Sequence, residues 1–191
     1  LPEGTRVAEV SDSLLASVAD TQSPQGIVFI CKGKALSVPG RLTGGRYLLL
    51  DGVQDPGNVG TIWRTADAFG TDGLLLCEGC ADPWNPKTVR ATMGAVFRLP
   101  VYECALETAA ERLAAAGLPL YAAALRDDTA DVRELDLGRC AVAIGSEGRG
   151  VSQRTLELCE RTVKIPMSPR CESLNAAVAA AVVLWEMARG G

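Results

Sequence analysis

Three short clusters hold the residues able to do chemistry. Asn58, Gly60 and Arg64 follow the run Leu50-Asp51-Gly52-Val53-Gln54-Asp55-Pro56-Gly57. Glu147 sits among glycines in Gly145-Ser146-Glu147-Gly148-Arg149-Gly150. Ser173 and Asn175 follow Lys164-Ile165-Pro166-Met167 and open an alanine-rich stretch through Glu172-Ser173-Leu174-Asn175. A helix starting near Asn58 would attract an anion such as phosphate at its N-terminus. Gly60 has no side chain to hold a ligand away, and Arg64 lies off the apolar stripe Val59, Ile62, Trp63, Ala66 and Phe69. Plainer readings stand beside these. Asn58 could be only an N-cap, Arg64 could pair with Asp67 at i+3, and Ser173 could be only the N-cap of the last helix. The glycines at 145–150 permit tight turns and close backbone approach. They form neither a P-loop nor a dinucleotide fingerprint, because the lysine-serine pair is missing and the helix comes late. The chain has no histidine, so the usual near-neutral general base is missing.

The elements that must position these clusters alternate. Strands are predicted at 47–50, 73–77, 118–125, 140–144 and 162–165. Helices are predicted at 58–69, 86–93, 105–116, 152–159 and 173–187. This alternation predicts an α/β fold with a mainly parallel sheet. In the last helix, Leu174, Ala177, Val178, Ala181, Val182, Trp185 and Ala188 share one stripe, which is either core or dimer interface. Residues 1–40 read differently. Val10-Ser11-Asp12 before Leu14, Leu15 and Val18 predicts a short capped helix. Ile27-Val28-Phe29-Ile30-Cys31 predicts a short buried strand. Lys32, Gly33, Lys34, Pro39 and Gly40 predict a flexible connection.

Composition narrows the function classes. No apolar run reaches the ~18 residues of a membrane span, and no signal peptide is evident. The chain begins at Leu1 rather than Met, so a processed or truncated chain is expected. Seven cysteines are present. Cys77-Glu78-Gly79-Cys80 has the spacing of half a zinc site or a redox pair, but no second pair follows, so no metal is expected. Free thiols suit a reducing cytoplasm, which is the expected location. The net charge of −4 means that any nucleic-acid site must be a local patch or come from a partner.

Taken in order, the three clusters resemble the signature motifs of the SpoU (TrmH-like) RNA ribose methyltransferases of the SPOUT superfamily. The resemblance runs from about Tyr47 to Arg189. It implies an α/β-knot in which the C-terminal segment threads a loop, an exception to the rule that chains avoid knots. It implies S-adenosyl-L-methionine as cofactor, held by Ala124, Ile144, Gly145, Glu147, Ile165, Met167 and Leu174. It implies Asn58, Arg64, Glu147, Ser173 and Asn175 as catalytic residues, with RNA as substrate and a homodimer as the working form. Ribosomal RNA is favoured, with a transfer-RNA enzyme or a catalytically silent RNA-binding relative as alternatives. The resemblance divides the chain into 1–40, the remnant of an N-terminal substrate-binding domain, and 41–191, the methyltransferase domain. In this chemistry the ribose oxygen must be aligned with the methyl carbon and the sulfur, and then lose its proton. An arginine working with a substrate phosphate is a plausible organiser, since a free arginine base would need an unusual environment.

Overall fold

The computed structural model describes residues 4–19, 21, 23–33, 36–126, 129–171 and 173–190. Lys34 and Glu172, quoted above, lie outside them. The chain forms two compact units, 1–34 and 35–191.

In the first unit, α1 (Asp12–Val18) starts where the sequence predicts. The Ser11 side chain accepts a hydrogen bond from the Leu14 amide at 3.3 Å. The strand expected at 27–31 does not form, and Ile27, Phe29 and Ile30 are 61%, 67% and 98% exposed. A β-rich run becomes a strand only by pairing, and the described residues of this unit supply no partner strand.

The second unit is one eight-stranded sheet, all parallel, with helices on both faces. Its strands are β1 (Leu36–Ser37), β2 (Arg46–Asp51), β3 (Gly73–Leu76), β4 (Val101–Glu103), β5 (Leu120–Ala123), β6 (Ala130–Asp131), β7 (Cys140–Gly145) and β8 (Arg161–Lys164). The spatial order is β1-β4-β3-β2-β7-β5-β8-β6. Leu48, Leu49 and Leu50 on β2, and Ala141 to Ala143 on β7, are fully buried. Strands covered on both faces read as continuous apolar runs in this way. The short strands β1, β4 and β6 were not predicted, because two or three residues carry no alternation to detect.

One layer consists of α2 (Pro56–Ala68), α3 (Pro86–Ala91) and α6 (Ala176–Arg189); the other holds α4 (Leu106–Ala115) and α5 (Gln153–Leu158). Two helix starts differ from expectation. Asp55 caps α2, accepting from the Asn58 amide at 2.9 Å, and Pro56 occupies the first turn. Asp followed by Pro suits this start better than Asn58 does. Asn175, not Ser173, caps α6, accepting from the amides of Ala177 and Val178 at 2.9 and 3.2 Å. The buried stripe of α6 also differs. Ala176, Ala180, Val183, Leu184 and Met187 face the core, while Val178 and Trp185 are 50% and 57% exposed. Gly60 serves helix packing rather than ligand access, because a Cβ there would lie 2.6 Å from the Ala91 Cβ.

The sheet order reverses between β2 and β7, which pair in register from Arg46↔Cys140 to Asp51↔Gly145. In open parallel sheets, ligands bind outside the carboxyl ends of the strands at such a reversal. Asp51 and Gly145 stand at those ends.

Candidate active site

A cleft of about 390 Å³ opens at the carboxyl ends of β5, β7 and β8. This is within the ~300–1,000 Å³ range of small-molecule sites. All seven positions expected to touch a cofactor line it: Ala124, Ile144, Gly145, Glu147, Ile165, Met167 and Leu174. Ser173 lines it too, with Lys164 and Ser146. The walls are mostly apolar and the polar groups are few, as an orienting site for an organic ligand requires. The amides of Met167 and Leu174 donate to no described residue. They are therefore available to a ligand carrying acceptors, and the donor set fits an adenine-bearing cofactor.

The loop carrying Glu147 is held at both ends. Ser146 and Gly150 exchange two backbone hydrogen bonds at 3.0 and 2.9 Å, closing the turn. At its base, the backbone of Gly150 and Val151 crosses so near Gly145 that a Cβ there would collide with it. Beyond the loop, one oxygen of Asp51 accepts from the Ser152 amide at 2.6 Å and from Oγ1 of the fully buried Thr155 at 2.7 Å. Hydrogen bonds to a carboxylate are the stronger kind. Asp51 thus ties the end of β2 to the exit of the loop that starts from its register partner Gly145. The sequence reading missed Asp51. Its only local signal was a carboxylate at a strand end before Gly52, a common turn pattern.

Beside the cleft, the three clusters meet in a chain of polar side chains. The Nδ2 of Asn58 donates to the Oε1 of Glu147. The Nδ2 of Asn175 donates to the Oδ1 of Asn58 at 3.1 Å. The Oδ1 of Asn175 is occupied by the α6 cap. Every amide orientation in the chain is therefore set by a partner, and Oε2 of Glu147 accepts from no described residue. Because Asp55 does the capping, the Asn58 side chain is left for this network. Lys87, 2.9 Å from Asp55, holds that carboxyl below the usual range, so the cap stays charged.

Arg64 stands apart. It lies six residues beyond Asn58, roughly 9 Å along α2 at ~1.5 Å per residue, and does not line the cleft. Nor does it pair with Asp67, whose carboxylate instead receives Arg98 at 2.6 and 2.9 Å. Cys77 and Cys80 also lie outside the cleft. The Cys80 thiol donates to the Leu50 carbonyl at 3.2 Å, and the neighbouring Cys104 and burial push the Cys77 thiol far up.

These features agree with the comparisons to known proteins. The model of the SpoU rRNA Methylase family matches residues 45–185. The chain is 36% identical over 188 residues to the 23S rRNA (guanosine(2553)-2′-O)-methyltransferase RlmP of Bacillus subtilis strain 168, covering 98% of this chain and 74% of that protein. The crystal structure of an AdoMet-bound rRNA methyltransferase from Sinorhizobium meliloti superposes with a TM-score of 0.84 at 33% identity, over 94% of this chain and 70% of that one. The SpoU methyltransferase AviRb from Streptomyces viridochromogenes, in complex with AdoMet, superposes with a TM-score of 0.68 at 36% identity, over 75% and 56%. The chain thus spans 56% to 74% of the length of these three relatives. With the parallel sheet, the cleft and the junction of three motifs, the matches place the chain in the SpoU rRNA methylase family.

Proposed function

We propose that the chain transfers a methyl group from S-adenosylmethionine to a ribose 2′-hydroxyl of RNA, with ribosomal RNA as the substrate. The observation that carries this reading is the Glu147–Asn58–Asn175 chain beside a largely apolar cleft in which the Met167 and Leu174 amides donate to no described residue. The cofactor supplies a methyl group activated on a positively charged sulfur. The protein supplies position. The apolar walls at Ala124, Ile144, Ile165 and Leu174 suit the flat adenine, and the amides of Met167 and Leu174 suit its ring acceptors. Glu147, fixed by Asn58, presents its second carboxylate oxygen to an incoming hydroxyl. Ser173 adds a second polar contact within the cleft. Arg64, on the outer surface of α2, is assigned to substrate phosphate rather than to the cofactor.

Two further features belong to this reading. The face of α6 left outside the core joins α2 in an apolar groove containing Phe69, Val178, Ala181, Val182 and Trp185, next to Asn58 and Asn175. An apolar patch of this kind on a small protein marks an interface. It supports a homodimer with the active site at its edge. The knotted path is supported by the convergence of Ala124, Glu147, Ile165, Met167 and Leu174 on one cleft. The direct test is calorimetry with S-adenosylmethionine and its demethylated product, then mapping of 2′-O-methyl positions in ribosomal RNA from cells with and without the protein. Binding of both molecules and loss of one methyl mark are expected. Failure to bind either, with tight binding of NAD or ATP, would overturn the assignment.

A further inference from the structure

The segment after α3 presents large apolar side chains to solvent from a rigid turn. Met93 is 68% exposed and Phe97 76% exposed. Met93 has φ of 48°, the one non-glycine residue in the left-handed region among those described. That conformation is unfavourable for a methionine, and such strain persists only where the surroundings enforce it. They do so here. The Thr92 hydroxyl, fully buried, donates to the Val89 carbonyl at 2.7 Å. The Ala95 amide donates to Thr92 at 3.0 Å, Phe97 to Gly94 at 3.1 Å and Leu99 to Ala95 at 3.0 Å. The Leu99 carbonyl is anchored by the Trp63 indole at 3.0 Å. Met93 and Phe97 are thus held outward by a fixed frame.

Helical geometry places Arg64 on the face of α2 that packs against this segment. Positions 60, 64 and 67 of α2 share one face. Gly60 on that face abuts Thr88 and Ala91, and Asp67 binds Arg98. Arg64 lies between these two contacts, so it flanks the segment from Ala91 to Arg98. It is exposed and forms no ion pair with a described residue. This face of the chain therefore sets an exposed arginine near an outward aromatic ring.

We infer that the surface formed by Arg64, Met93 and Phe97 binds an unpaired nucleotide of the RNA next to the target, with its base stacked on Phe97 and its phosphate on Arg64. Single-stranded RNA is held in this way, by aromatic faces beside arginines, with little demand on base identity. The inference rests on the RNA methyltransferase reading and names the part of the substrate that this face contacts. Its new element is the stacking of the neighbouring base on Phe97, beside the phosphate already assigned to Arg64.

The test uses the whole chain and a fluorescently labelled, unstacked oligouridylate of about 12 nucleotides, within the range of single-strand sites. Anisotropy measures affinity for wild type, Phe97→Leu and Phe97→Trp. Calorimetry with S-adenosylmethionine runs in parallel. Phe97→Leu keeps an apolar side chain but removes the π-face. It is expected to weaken RNA binding on the order of 10-fold or more, whereas Phe97→Trp retains it. Cofactor affinity stays the same in all three. Equal RNA affinity for leucine and wild type, equal loss for tryptophan and leucine, or no RNA binding by the wild type would overturn the inference. A change of oligomeric state in Phe97→Leu would assign the patch to a protein interface instead. Loss of cofactor binding by the wild type would count against the methyltransferase reading, and the anisotropy series would still decide the stacking.

Discussion

Asn175 does two jobs with one side chain, and two substitutions separate them. Its Oδ1 caps α6 through two backbone amides, and its Nδ2 donates to Asn58 at 3.1 Å. Asn175→Ala removes both functions. Loss of an N-cap costs about 1 kcal/mol. Here the cost is felt in full, because α6 places Ala180, Val183 and Leu184 in the core. For a chain of this size that lowers Tm by about 2–4 °C. Asn175→Asp keeps the capping oxygen and adds negative charge at a helix N-terminus, a favourable change of about 0.3–1 kcal/mol. It cannot donate to Asn58, however, and sets a carboxylate against the Oδ1 of Asn58, one link from Glu147. The aspartate variant should therefore melt within about 2 °C of wild type while methyl transfer falls on the order of 10²-fold, the cost of misplacing a catalytic group by about 1 Å. Differential scanning calorimetry and single-turnover transfer to ribosomal RNA give the two readouts. A wild-type rate for Asn175→Asp would remove the amide chain from the mechanism. An unchanged Tm for Asn175→Ala would remove the cap.

Other perturbations test neighbouring parts of the structure. Asp51→Ala strips acceptors from the Ser152 amide and the buried Thr155 hydroxyl, costing about 1–3 kcal/mol for each group left without a partner. Asp51→Asn keeps an acceptor oxygen and should cost about 1 kcal/mol; equal melting of both variants would show that the clamp is idle. Gly145→Ala drives a methyl into the Gly150–Val151 backbone. It should abolish S-adenosylmethionine binding in calorimetry while circular dichroism still reports a folded sheet, and normal affinity would mean that the loop base is looser than its geometry. Trp185→Glu places a charge on the exposed face of α6, where the indole meets Phe69 edge-on at 5.9 Å; light scattering should then report the monomer mass, and a persistent dimer would point to another interface. Burial pushes the Cys140 thiol up to about 12, so little thiolate forms at about pH 8. Iodoacetamide followed by mass spectrometry should modify the exposed Cys171 and spare Cys140; rapid labelling of Cys140 would show that β7 opens.

The sequence by itself determined the element pattern and part of the cleft lining. Apolar period and glycine punctuation are local signals, so β2, β7, β8 and the helices between them could be read within a few residues. The family resemblance then pointed to seven of the residues that line the cleft. Other assignments depended on partners that local signals do not reveal. The run Ile27–Cys31 has strand chemistry, but no strand among the described residues pairs with it. The alanine-rich last helix is apolar nearly all round, so its period could not say which face meets the sheet; packing against α2 and β7 chose Ala180, Val183 and Met187 and left Val178 and Trp185 outside. Asn58 was ambiguous between cap and site until Asp55 took the cap. Only tertiary structure joined Asn58 to Glu147, 89 residues away, and to Asn175, 117 residues away. The physical reason is that such bonds depend on the parallel sheet bringing the carboxyl ends of distant strands to one edge, whereas caps, turns and amphipathic stripes are settled within a few residues of chain.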